Sequence, residues 1–170
     1  GTESTYTIAS SDESKSIRAI ITYTDNEGFN ETVTTESLQI PYVDSGDAQF
    51  SISGADLVAE VGNTLSISED SADPDGTRDI SYSWQTSSDN NTWSEVGSGS
   101  TYTIASLDEG KNIKCIVSYM DNKGFNESVT TNIVSISYVN DGAAVFSIRG
   151  TLQVGKTLSI NEDSADQDFR

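Results

Sequence analysis

The sequence copies itself. TYTIAS at 5–10 returns at 101–106, an offset of 96 residues. Between residues 5–54 and 101–150, 30 of 50 positions are identical. VGNTLSISEDSADPD (61–75) then aligns with VGKTLSINEDSADQD (154–168) at 12 of 15 positions, with the offset reduced to 93. The first copy therefore carries three extra residues between Gly54 and Gly62. A period of 93–96 residues is the size of one domain, so the fold must be a unit that can be stacked end to end. The natural boundary is YVDSGDAQF (42–50), repeated as YVNDGAAVF (138–146). Cutting there gives the C-terminal half of one repeat at 1–43, a complete repeat at 44–139, and the N-terminal half of a further repeat at 140–170. The halves do not sum to a whole, because neither has a counterpart of 77–99, which contains ISYSWQTSSD.

Within the complete repeat the apolar residues alternate with period two, the signature of half-buried strands. Phe50 and Ile52 share one face of AQFSIS, and Leu65 and Ile67 one face of TLSIS. Ile80, Tyr82 and Trp84 fall on one face of ISYSWQT, and Tyr102 and Ile104 on one face of TYTI. Ile113, Cys115, Val117 and Tyr119 line one face of NIKCIVSY. The last strand runs through Val129, Thr131 and Ile133, then changes phase to Val134, Ile136 and Tyr138, which predicts a bulge or a strand switch. Turn sequences DPDG, SDNN, GSGS, DEGK and DNKG separate these runs, and no stretch has helical periodicity. About seven short strands at this spacing predict a two-sheet antiparallel sandwich, with a β-barrel as the alternative.

Composition removes several function classes. The formal net charge is −18, with nine Lys and Arg in all, which opposes binding to phosphate backbones and anionic membranes. No apolar run is long enough to span a bilayer; the chain opens in mid-repeat and reads as a piece of something longer, so its lack of a signal peptide or lipidation motif removes no class. There is no histidine and one cysteine, Cys115, so Ser–His and Cys–His catalysis, a zinc site and an intrachain disulfide are all excluded. GTLQVGKT (150–157) has the spacing of a phosphate-binding loop, but that chemistry needs a helix N-terminus after the lysine. LSINED follows and reads as a strand, and the other copy has Asn63 at the lysine position. Sequons at Asn30, Asn90 and Asn126 matter only in a glycosylating host, and turn chemistry accounts for them.

The order VG-x-TLS, DPDG, YSWQTS-D---TW, TYTI, DEGK-I and VSY-D--G resembles the tandem immunoglobulin-like repeats of large bacterial surface and adhesin proteins. The resemblance covers the complete repeat and both partial ones. It implies an all-β, immunoglobulin-like sandwich in an extracellular or cell-surface stalk, often stiffened by calcium between repeats. The chain departs from antibody-type domains in lacking the inter-sheet disulfide. Cys115 stands where the other copy has Ala19, which points to a packed thiol and not a nucleophile.

The acidic loops are the candidate site. EDSADPDG offers Asp70, Asp73 and Asp75, and its copy offers Asp163, Asp166 and Asp168. Hard oxygen ligands on loops suit calcium, although the spacing is not that of a helical-hand loop. In an immunoglobulin-like topology the loop between the second and third strands shares one pole with Asp121 and Asn122, which precede the last strand. The incoming linker brings Asp44 and Asp47 there, and the preceding repeat would add Asp12 and Glu13 from its opposite pole. Calcium would hold such a junction. The alternative is that Asp, Asn and Gly simply make good turns. In the second linker Asn140 and Asp141 remain, but Ala143 stands in the place of Asp47.

Three functions compete. A structural spacer of an extracellular adhesin or filament is favoured by near-identical copies, each touching its neighbours. A glycan- or protein-binding module would use exposed aromatics, for which Trp93, Phe125 and Phe29 are candidates. An enzyme would need a site peculiar to one copy, and none is apparent. The partial repeats would also leave strand edges that other copies of the chain could pair with.

Overall fold

A computed structural model describes residues 3–53, 59–140 and 142–166. The first partial repeat holds β1 (Ser16–Ile17), β2 (Ile20–Thr24), β3 (Asn30–Thr34) and β4 (Leu38–Gln39). The complete repeat holds β5 (Gln49–Ser53), β6 (Thr64–Ser71), β7 (Arg78–Ser87), β8 (Ser94–Gly97), β9 (Thr101–Thr103), β10 (Asn112–Met120), β11 (Asn126–Thr130) and β12 (Val134–Ser135). The last partial repeat holds β13 (Val145–Gly150) and β14 (Leu158–Ser164). Helical structure among the described residues is confined to the 3-10 turns Ser10–Asp12 and Ser106–Asp108.

The complete repeat is an antiparallel sandwich. One sheet has the order β5-β6-β9, and the other β11-β10-β7-β8 with β12 also on β10. The alternating faces read from the sequence close on each other. Ile113, Cys115 and Val117 are fully buried and Tyr119 nearly so, against Phe50, Ile52 and Leu65 of the facing sheet. Trp84 is wholly buried, stacks on Tyr102 with ring centroids 5.9 Å apart, and donates its indole N–H to the Gly99 carbonyl at 2.8 Å. The burial therefore strands no polar group.

Two positions depart from simple alternation. Ile80 is 39 % exposed, because the β7–β10 register shifts between Ser118 and Met120 and Asp79 takes a positive φ. That bulge turns the start of β7 out of phase with Trp84. Ile133 is also exposed: the phase change expected after it comes before it, in the gap between β11 and β12. There the buried Thr131 pairs with the Cys115 backbone, and the Asn132 side-chain oxygen accepts the Ile52 N–H.

Among the described residues the partial repeats keep local pairing but contribute none of the buried core cluster. β2 pairs with β3, β1 with β4, and β13 with β14. Lys156 is followed by β14, so the phosphate-loop spacing at 150–157 lacks the helix it would need.

Candidate metal centre at the repeat junction

The linker of residues 42–48 reaches the complete repeat at the pole where the β6–β7 loop and the β10–β11 turn lie. Tyr119, at the end of β10, anchors it. Its hydroxyl accepts the Ala48 N–H and donates to Asp73 Oδ2, both at 2.8 Å. Burial, with the neighbouring Asp73, pushes this phenol up to about 12. Asp73 Oδ1 accepts the Asp75 N–H at 2.6 Å, so both oxygens of Asp73 serve the loop itself. Gly76 closes the DPDG turn at φ +82° with the Asn122 side chain packed over its α-carbon. Asn122 thus packs on the loop, and its backbone N–H donates to the Asp75 carbonyl.

Asp121 opens the next turn. Its Oδ1 accepts the N–H groups of Gly124 and Phe125 at 2.6 and 2.7 Å. Its Oδ2 is buried with no hydrogen-bond partner, on a residue with no solvent exposure. Carboxylate oxygens of Asp44, Asp75 and Asp121 lie within 4.8 Å of one another, and so do those of Asp44, Asp47 and Glu127. A buried carboxylate oxygen without a donor is costly unless a cation completes it. Hard oxygens converging from a linker, a loop and a turn are the ligand type calcium takes. The donor set therefore fits a hard divalent cation.

Electrostatics record the same crowding. A hydrogen bond with Asp47, partial desolvation, and the charges of Asp44, Asp47 and Asp121 push the Glu127 carboxyl up to about 7. Asp75 is held below the usual carboxylate range: desolvation opposes this, but hydrogen bonds from Lys123 and Ser45 outweigh it. Lys123 Nζ lies 3.0 Å from Asp75 Oδ1, 3.0 Å from Glu13 Oε2, 2.8 Å from the Val43 carbonyl and 3.1 Å from Ser45 Oγ. Hydrogen bonds with Glu13 and Asp75 raise its pKa.

The structure thus brings together Asp44, Asp47, Asp75 and Asp121 of the residues expected at this pole, with Glu13 arriving from the preceding unit. It places others elsewhere. Asp12 accepts the Tyr6 hydroxyl and the Ala9 N–H within its own turn. Asp70 lies on β6 and accepts the Ser51 hydroxyl, because β6 runs three residues into the acidic segment, through Ser71. Asp163 lies on β14, 3.0 Å from Arg149 and 2.7 Å from the Asn161 amide. Asp166 follows β14, and Asp168 and Asp141 lie outside the described residues. Asn140 caps its own turn by accepting the Gly142 N–H.

Glu127 and Lys123 were not legible as site residues. The signal for Glu127 is its register opposite Tyr119 across the β10–β11 hairpin, which points it at the same pole. The signal for Lys123 is its position as the one cation in the DNKG turn. Of the candidate ligand-binding aromatics, Trp93 is half-buried beneath Lys114 Nζ, 4.2 Å from the ring centroid, and Phe125 is half-buried. Phe29 is 66 % exposed. No helix of the described residues is long and apolar enough to cross a membrane. Comparison with protein-family models, curated proteins and solved structures finds no match for the chain.

Proposed function

We propose that the chain is a non-enzymatic spacer: a run of immunoglobulin-like repeats in an extracellular stalk, adhesin or filament, with calcium at the junctions between repeats. The observation that carries this reading is the Asp121 carboxylate, whose buried Oδ2 has no partner and which lies within 4.8 Å of the carboxylates of Asp44 in the linker and Asp75 in the neighbouring loop. An ion there would join linker to domain and fix the angle between units. The strand order β5-β6-β9 against β11-β10-β7-β8 supports the immunoglobulin-like part of the reading. The repeated sequence supports the spacer part, since stacked units make length. Asp121 supplies a fixed, buried oxygen, and Asp44 and Asp75 bring the linker and loop onto it. Lys123 meets the charge of Asp75, and bound calcium would supply the positive charge for the carboxylates that remain.

The test is thermal unfolding of the chain in calcium and in excess chelator, together with direct calcium titration. A large fall in melting temperature on chelation, with a titratable ion, is the expected result. Unchanged melting and no binding heat would leave the acidic loops as ordinary turns.

A further inference from the structure

The Lys123 ammonium sits in a shell of four oxygens: two carboxylates, a carbonyl and a hydroxyl. Three segments supply them: the turn of the preceding unit (Glu13), the linker (Val43 and Ser45) and the β6–β7 loop (Asp75). An ammonium has three protons to donate, and here it is surrounded as a hard cation is. Only a fifth of the Lys123 side chain is exposed, as is the Glu13 side chain. The aligned position of the first copy, 96 residues earlier, is Glu27. The backbone turn beneath it is the same. Asp25 O accepts the Gly28 N–H as Asp121 O accepts the Gly124 N–H, and Asp25 Oδ1 accepts the Phe29 N–H as Asp121 Oδ1 accepts that of Phe125. The side chain at this place therefore springs from a like turn in both copies, with opposite charge.

We propose that Lys123 is a tethered cation that clasps the preceding unit and the linker without metal, and that the residue at this place sets how many metal ions a junction needs. With lysine, the ammonium fills the oxygen shell beside the Asp44–Asp75–Asp121 group. With glutamate, as in the first copy, the same shell would contain three carboxylates and no internal cation, and a divalent ion would have to fill it. The inference rests on the junction reading above, but its clasp does not depend on calcium at Asp121.

The test uses the full chain as wild type, Lys123→Gln and Lys123→Glu. Nitroxides on Thr22→Cys and Ser88→Cys, both exposed, report the distance between the preceding unit and the complete repeat. Calorimetric titration with calcium alone reports stoichiometry. The expected result is a narrow distance distribution for wild type even in excess chelator. Lys123→Gln should lose it, and Lys123→Glu should lose it in chelator, regain it in calcium, and bind one calcium more than wild type. The proposal is overturned if Lys123→Gln stays as narrow as wild type in chelator, or if Lys123→Glu binds no additional calcium. A wild type that binds no calcium but loses its narrow distribution in Lys123→Gln would sink the metal reading and keep the clasp. A wild type that binds calcium and is indifferent to Lys123→Gln would do the reverse.

Discussion

The complete repeat and its flanking copies share most of their sequence and almost none of their burial. Phe50 is 8 % exposed and its copy Phe146 60 %; Ile52 is 3 % exposed and Ile148 65 %. Ile113, Cys115, Val117 and Tyr119 are buried, whereas Ile21 and Tyr23, the copies of Val117 and Tyr119, stand about half exposed. Yet the short-range structure is the same. Tyr6 donates to Asp12 at 2.7 Å as Tyr102 does to Asp108 at 2.6 Å, and the N–H groups of Ala9 and Ala105 donate to those same carboxylates. Strands β2 and β3 pair in the register of β10 and β11, Tyr23 opposite Glu31 as Tyr119 is opposite Glu127. Turn chemistry and hairpin register are thus written within some forty residues of sequence. Burial is not: it needs the facing sheet and the Trp84 strand that neither flanking copy has.

The sharpest way to break that comparison is to remove the strand's anchor. Trp84→Ala should cost about 3–5 kcal/mol, a large part of the ~5–15 kcal/mol available to a domain. Denaturant unfolding followed by circular dichroism should show the complete repeat losing most of its stability. Next in size is a matched pair. Ile52→Ala should cost about 2–4 kcal/mol, while Ile148→Ala at the equivalent place should stay within about 0.5 kcal/mol, because only the first leaves a cavity. Equal effects on the unfolding midpoint would mean that the β13–β14 face is covered in solution, as pairing with another copy would require.

Smaller still is Tyr119→Phe. It leaves the Ala48 N–H and Asp73 Oδ2 without their shared partner, at a cost of about 1–3 kcal/mol. Tyr23→Phe, whose hydroxyl holds no such linker, should be close to neutral. In alkali the sign is set by burial: with the folded phenol of Tyr119 pushed up from 10.0 to about 12, its stabilisation is complete below about pH 10 and is lost as pH rises through about 12. Ultraviolet titration of wild type against Tyr119→Phe should show one late-ionising tyrosine disappear.

What was legible in the sequence follows the same division. Period two identified the faces of β5, β9 and β10 because each strand is regular over its length. It failed at Ile80, where a bulge shifts the phase by a step that no local residue announces, and at Ile133 it announced the strand break but set it after this residue instead of before it. At the junction, Asp44, Asp47, Asp75 and Asp121 were legible because turn-forming acids cluster in loops that share a pole. Asp73 was legible as an acid but not as the acceptor for Tyr119, a contact across 46 residues of chain. Asp70 was misread as loop because β6 extends to Ser71. Glu127 was hidden because it sits within a strand, on the face it shares with Val129, where no turn sequence marks it as part of the acidic pole.

Glu127 also gives the finest test of how the junction differs from the flanking copies. Its carboxyl is pushed from 4.5 up to about 7 by Asp47, desolvation and the surrounding acids, so the folded state binds the proton more tightly than the unfolded chain. A raised folded pKa contributes stability that is fully present below about pH 4.5 and is lost as pH rises through about 7. Without metal, then, the melting temperature should drift down slightly between those limits. Glu127→Gln should flatten the drift, because the amide cannot ionise. Calcium should flatten the wild-type drift as the substitution does, by supplying the charge that the proton otherwise supplies. A drift that survives in Glu127→Gln would place the titrating group elsewhere and remove the electrostatic distinction between the complete repeat and its copies.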